Sequence, residues 1–256
     1  MTETASQKQN PTSEEAKSEM SAMPLMEHLE ELRSRLFKSV VVVAVLFIAT
    51  MPFASEIIVY LKQPLEALIP NQNLNLHFTG PFDPFISTLK VSMLAAFIFG
   101  CPFWIYHLWK FVEPALYPNE RKYVFPYAAA SIFLFLLGVW FAYFIIIPMS
   151  LKFLLGLGTE IGVPIITVKD YLSLLIVMVF TFGLVFETPV ILVLFGMLGL
   201  ISSKTLSKQR GVVVVGVFVV AAILTPTPDP FTQTAMALPL YFMYELSILI
   251  LKMLKK

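Results

Sequence analysis

The chain has 256 residues, 57% of them hydrophobic and only 14% charged, with a formal net charge of +1. A soluble domain carries about a quarter charged residues, so there is too little charge here to coat a globule, and no nucleic-acid partner is expected. A mean hydropathy of +0.79 points instead to a protein embedded in lipid, and the single cysteine, Cys101, excludes an internal disulfide.

Residues 1–22 are rich in Ser, Glu, Gln and Lys, the composition of a disordered cytosolic tail. The acids Glu3, Glu14, Glu15 and Glu19 argue against an organellar transit peptide, which is acid-poor. Residues 24–36 read PLMEHLEELRSRL, with Leu25, Leu29, Leu32 and Leu36 on one helical stripe. An amphipathic surface helix is expected, with Glu27 and Glu31 projecting away from the leucines and Glu31 placed to pair with Arg35 at i, i+4.

Apolar blocks follow at 37–55, 85–106, 123–147, 171–197, 211–224 and 232–251. Crossing a hydrocarbon core of about 30 Å takes about 20 helical residues, which the first four blocks supply. The sixth is borderline. The fifth makes only about 21 Å of helix, so either the bilayer thins around it or blocks five and six form a shallow hairpin. The expected architecture is an all-α membrane protein in which residues 23–252 form one six-helix domain and 253–256 a short basic tail. Asp83-Pro84 and Asp229-Pro230 each place a capping carboxylate before a proline suited to a first helical turn, opening the second and sixth spans.

Orientation is read from Lys and Arg. Lys8, Lys17, Arg33, Arg35 and Lys38 precede or open the first span. Lys110, Arg121 and Lys122 lie between the second and third, Lys204, Lys208 and Arg210 between the fourth and fifth, and Lys252, Lys255 and Lys256 after the sixth. Only Lys62, Lys152 and Lys169 fall on the other side, with Lys90 inside the second span. Both termini are therefore expected in the cytosol.

Few residues offer chemistry. His28, His77 and His107 are isolated, without metal-ligand spacing, and no phosphate loop or nucleophile elbow is present. No cofactor and no enzymatic activity are expected. Glu187, in LVFETP, lies about 24 Å of helix into its block, and Pro189 leaves a carbonyl one turn upstream without its helical partner. An acid at that depth costs about 2.5–3.5 kcal/mol on insertion scales, and intramembrane ionisable groups are functional by default. Glu245 is a weaker second case. Residues 111–122, FVEPALYPNERK, mix Phe111, Leu116 and Tyr117 with two prolines, giving a shaped loop in which Glu120 follows a candidate cap, Asn119.

At these residues the sequence resembles the TatC family, the signal-receptor subunits of the twin-arginine protein translocase. The resemblance covers residues 24–251. It rests on HLEELRSRL at 28–36, FVEPALYPNERK at 111–122, FGLVFETPV at 182–190, LTPTPDPFTQ at 224–233 and YEL at 244–246. It implies six helices in a curved, cup-like wall, with helices five and six too short to span fully. It also implies recognition of the paired arginines of signal peptides on folded cargo at the cytosolic face. Glu31, Arg33 and Glu120 match the recognition positions, and Phe111 and Pro114 match important loop positions. Glu187 matches a membrane-embedded glutamate facing the concave side, and Asp229 and Gln233 match polar residues at the outer end. The chain departs from the family's usual shorter stretch in carrying TPTPDP around Asp229.

The expected role is that of a receptor and assembly platform in the bacterial cytoplasmic (inner) membrane. Its partners would be twin-arginine signal peptides, TatA- and TatB-like single-span proteins, membrane lipid and further copies of itself. The competing expectation is a proton-coupled secondary transporter using Glu187. That reading predicts paired repeats with interrupted helices, and no convincing internal repeat is visible. An intramembrane hydrolase lacks a nucleophile–base pair in the apolar blocks.

Overall fold

The computed structural model describes residues 25–68, 76–116, 121, 124–158, 166–224 and 230–254. Among these the chain is helical throughout, apart from one parallel bridge that ties His77 to Thr167. Helix α1 (Leu25–Thr50) runs through a 3-10 turn into α2 (Ala54–Glu66). Then come α3 (Asp83–Phe99), α4 (Cys101–Val112), α5 (Val124–Phe141), α6 (Ile147–Gly158), α7 (Val168–Val185), α8 (Thr188–Met197), the short α9 (Ser203–Lys208), α10 (Arg210–Leu224) and α11 (Pro230–Met253).

Among the described residues four helical stretches are long and apolar enough to cross a bilayer: Glu30–Glu66, Val124–Gly156, Val168–Met197 and Thr232–Met253. The helices α3 and α4 make a fifth if counted as one span. They meet at an angle of 54°, where the sequence pattern led us to expect one uninterrupted helix over 85–106. The cause lies in Gly100-Cys101-Pro102. Pro102 has no N–H to offer the Ile98 carbonyl. A side chain at Gly100 would run into the Ala96 carbonyl oxygen at 2.7 Å and the Leu46 methyl of α1 at 3.3 Å. Helix α10, 15 residues long, reaches about 22 Å, which agrees with the short fifth block.

Two local expectations are corrected. The amphipathic segment is no separate surface helix, because it continues into the first span as α1. Its faces also differ from the pattern: Leu36 is 61% exposed, whereas the Glu31 side chain is only 24% exposed. Leu36 faces the surroundings as a lipid-facing residue does, and Glu31 is covered because it pairs with Arg35. Asp83 likewise does not cap α3 in the expected way. It is the first residue of that helix and reaches backwards, accepting from the N–H groups of Thr79 and Gly80 (both 2.8 Å) and the Thr79 hydroxyl (2.7 Å). These three donors hold its carboxyl below the usual range, the Thr79 hydroxyl most strongly.

The core is built around α7, whose Tyr171, Leu172, Leu175, Met178 and Phe182 are fully buried against α2, α3, α5, α6 and α11. Buried phenols need acceptors, and α2 provides them. Pro64 leaves the Tyr60 carbonyl without its helical donor, and the Tyr143 hydroxyl donates to it at 2.7 Å. Tyr171 donates to the adjacent Leu61 carbonyl. The pair α5 and α7 touches backbone to backbone at small residues, as membrane helices do. A methyl on Gly138 would collide with the Phe182 carbonyl, and one on Gly183 would lie 2.7 Å from the Phe135 ring. Helix α8 ends at Gly199, whose φ of 73° lets Leu200 donate to the Phe195 carbonyl at 3.0 Å.

Candidate functional site

The first candidate region is the end of the molecule at which α1 begins. Residues Leu32, Arg35, Ser39 and Phe47 of α1 face Phe97, Trp104, His107 and Phe111 of α3 and α4 across an apolar groove of about 520 Å³. Its lower wall is aromatic: Trp104 packs edge-on to Phe135 at 5.3 Å and against Phe97 at 4.9 Å. The mouth of the groove is polar. Arg35 donates to Glu31 Oε1 from Nε at 2.9 Å and from Nη2 as well, while Arg33 is exposed. His107 lines the same mouth, its Nδ1 buried without a hydrogen-bond partner.

The loop after α4 begins at this mouth. Phe111 lines the groove, and Pro114 lies in a 3-10 turn, Glu113–Ala115. Glu113 pairs with Lys110 at 2.7 Å. Glu120 and its candidate cap Asn119 lie outside the described residues, as does Asp229. The structure therefore brings Glu31, Arg35, His107 and Phe111 to one end of the fold.

The second region is the middle of the long apolar span. Glu187 stands at the break between α7 and α8, where Pro189 interrupts the ladder as the sequence led us to expect. The break is tight, with Glu187 N–H donating to the Leu184 carbonyl at 3.1 Å and Ile191 N–H to the Glu187 carbonyl at 3.0 Å. One carboxyl oxygen, Oε1, is buried with no hydrogen-bond partner, and the Ser131 hydroxyl of α5 contacts the carboxyl. Ser131 is 1% exposed and accepts at 2.9 Å from the indole N–H of Trp109, which stacks on Tyr127. Because that N–H occupies a Ser131 lone pair, the Ser131 proton is free to point at Glu187. Neither Ser131 nor Trp109 was singled out from sequence. The local sign was a serine in the apolar, aromatic-rich block 123–147.

The third region joins α10 to α11. Arg210 makes a two-pronged pair with Glu245, Nε to Oε1 at 2.7 Å and Nη2 to Oε2 at 2.8 Å, and Tyr241 adds a third bond at 2.7 Å. The other end of the hairpin is fastened by Gln233, which donates to the Phe218 carbonyl at 2.9 Å. The weak case for Glu245 as a lone intramembrane acid is thus replaced by a paired one. Among the described residues no group of three His, Cys, Asp or Glu side chains is placed to hold a metal ion.

Comparison with known proteins identifies the family. The profile of the family "Sec-independent protein translocase protein (TatC)" matches residues 27–239. The TatC protein of Aquifex aeolicus is 38% identical over 233 residues, which is 90% of this chain and 95% of the relative. That of Escherichia coli K12 is 38% identical over 226 residues, 88% of this chain and 86% of the relative. A crystal structure of the twin-arginine translocase receptor TatC superposes with a TM-score of 0.79 at 36% identity, covering 90% of this chain and all of the other. The helical fold and these matches agree: the chain belongs to the TatC family.

Proposed function

We propose that this protein is the receptor subunit of a twin-arginine translocase in the bacterial inner membrane, with six crossings and both ends in the cytosol. On this reading its helices form a cupped wall. The observation that carries it is the meeting of α1 and the end of α4 around one groove, with a carboxylate, Glu31, at the groove's mouth.

Two adjacent guanidiniums on a leader peptide call for carboxylates in forked geometry. Glu31 supplies one and Glu120, on the loop that follows α4, the other, with Arg33, Phe111 and Pro114 shaping the approach. In the resting protein Glu31 is taken by Arg35, so the leader's arginine binds by exchange for a resident guanidinium. The apolar stretch that follows the arginines then lies against the aromatic wall of the groove. Glu187 serves a different step. Its carboxyl, half-buried in this chain, accepts a hydrogen bond from a polar residue on a single-span partner of the TatA or TatB kind, packed against the later helices. Gln233 holds the outer end of the α10–α11 hairpin through the Phe218 carbonyl, and Asp229 is assigned a polar role at the same end by its match to the family. Further copies assemble into a larger complex, and the chain performs no covalent chemistry itself.

The test is photo-crosslinking of a twin-arginine peptide to membranes holding the protein with Glu31→Ala and Glu120→Ala together. A hydrogen bond to a charged group contributes about 1.5–3 kcal/mol, so each loss weakens binding roughly 10- to 100-fold. Crosslinking of the double variant should vanish while its membrane insertion persists. Undiminished crosslinking would remove the docking pocket.

A further inference from the structure

A second groove, of about 430 Å³, lies between α3 and α7 and meets the first at Met93 and Phe97. Its walls are Met93, Leu94, Phe97, Ile176, Val177 and Phe180, and its far end is closed by Lys90 and Ser173. That end is the one opposite Glu31, since the first groove runs from Leu32 to Phe47 as it passes from Phe111 to Met93.

Lys90 lies seven residues into α3 and Ser173 five residues into α7, so both are about 8–10 Å below the ends of their helices. The Lys90 ammonium donates to Ser173 Oγ at 3.0 Å, and Ser173 passes its own proton to the Lys169 carbonyl at 2.7 Å. One of the three ammonium hydrogens is thereby used. Among the described residues no carboxylate comes within 4 Å of Lys90. The acids nearest in chain position are engaged elsewhere: Asp83 with Thr79 and Gly80, and Asp170 with the Thr167 hydroxyl. A cation with two open donors, at this depth and at the head of an oily cleft, requires an anion joined to an apolar chain.

We infer that this cleft is a binding site for one glycerophospholipid. Its phosphodiester sits on the Lys90 ammonium, and one acyl chain lies along Met93, Phe97, Val177 and Phe180. The flexible lysine stem lets the charge rise to the level of lipid phosphates while its methylenes stay in the apolar wall. A single acyl chain is joined to the anion that Lys90 lacks, whereas a partner helix would have to carry its own carboxylate to this depth, which insertion into the bilayer disfavours. The phosphodiester is the recognised group, so the site takes bacterial phospholipids with neutral or anionic head groups.

The experiment is native mass spectrometry of the full chain in a maltoside detergent, titrated with phosphatidylglycerol and, separately, with diacylglycerol of the same chains. The wild type should retain one phosphatidylglycerol, with diacylglycerol held at least tenfold more weakly. Lys90→Gln should lose that retention, Lys90→Arg should keep it, and Lys169→Gln should leave it unchanged. A phospholipid with a photoreactive acyl chain should label α3 and α7 in the wild type and neither helix in Lys90→Gln. Equal retention by Lys90→Gln, equal affinity for diacylglycerol, or labelling confined to other helices would each overturn the assignment. So would a protein partner crosslinked through position 90 that excludes the lipid.

Discussion

The guanidinium of Arg35 closes on Glu31 from two of its nitrogens, one turn along the same helix. The acid proposed to receive a leader's arginine thus already carries an arginine of its own. Side-chain exposure at the pair is about a quarter on each side, and helical pairs of this spacing contribute only about 0.3–0.5 kcal/mol.

A weak internal competitor has a measurable consequence. Arg35→Gln should release Glu31 and tighten twin-arginine peptide binding about twofold, the affinity equivalent of about 0.4 kcal/mol. Fluorescence anisotropy of a labelled leader at low salt will show it. Weaker binding would mean that Arg35 touches the peptide.

Glu187 and Ser131 predict two separable effects. Glu187→Ala should leave peptide crosslinking intact but abolish transport of a folded cargo in vesicles. Ser131→Ala strips the Trp109 indole of its acceptor and the Glu187 carboxyl of its donor, which should cost about 1–3 kcal/mol, read as unfolding in mixed detergent. Normal transport by Glu187→Ala would leave that acid a purely structural part.

Helix approach supplies a third test. Gly138→Ala forces α5 off the Phe182 carbonyl and should destabilise by about 1–3 kcal/mol. A methyl added at Gly216 would meet nothing within 4 Å, so Gly216→Ala should be neutral or stabilise by up to about 1 kcal/mol. Thermal melts of the two variants in one detergent decide the matter.

Asp83 fixes an acid limb. Its carboxyl is held below the usual value by the Thr79 hydroxyl and the backbone N–H groups, so the stability it confers is complete above an unfolded pKa of about 3.9. That stability is lost as the pH falls through the lower folded value. Asp83→Asn should be less stable than wild type at neutral pH and converge with it in strong acid. Melting curves from pH 7 down to the acid limit of the detergent micelle follow the difference.

Much of this was legible in the chain. Hydropathy marked the long apolar helices, because burying about 20 apolar residues in lipid depends on composition alone. The short α10 was visible for the same reason. Thr188-Pro189 announced the break beside Glu187, since proline removes a helical hydrogen bond wherever it stands. The Glu31–Arg35 pair followed from i, i+4 spacing.

Other features needed the folded chain. The bend at Gly100 arises from a proline acting together with the close approach of Leu46, which is distant in sequence. Trp109 finds Ser131, Tyr143 finds the carbonyl freed by Pro64, Arg210 finds Glu245 and Lys90 finds Ser173 only once distant helices lie side by side. Composition and periodicity register what a residue does to its own helix and to the surrounding lipid. Which polar group meets which across the interior is fixed by packing, where close contact at glycines such as Gly138 sets one helix against another and brings donors such as the Trp109 indole to acceptors far away in the sequence.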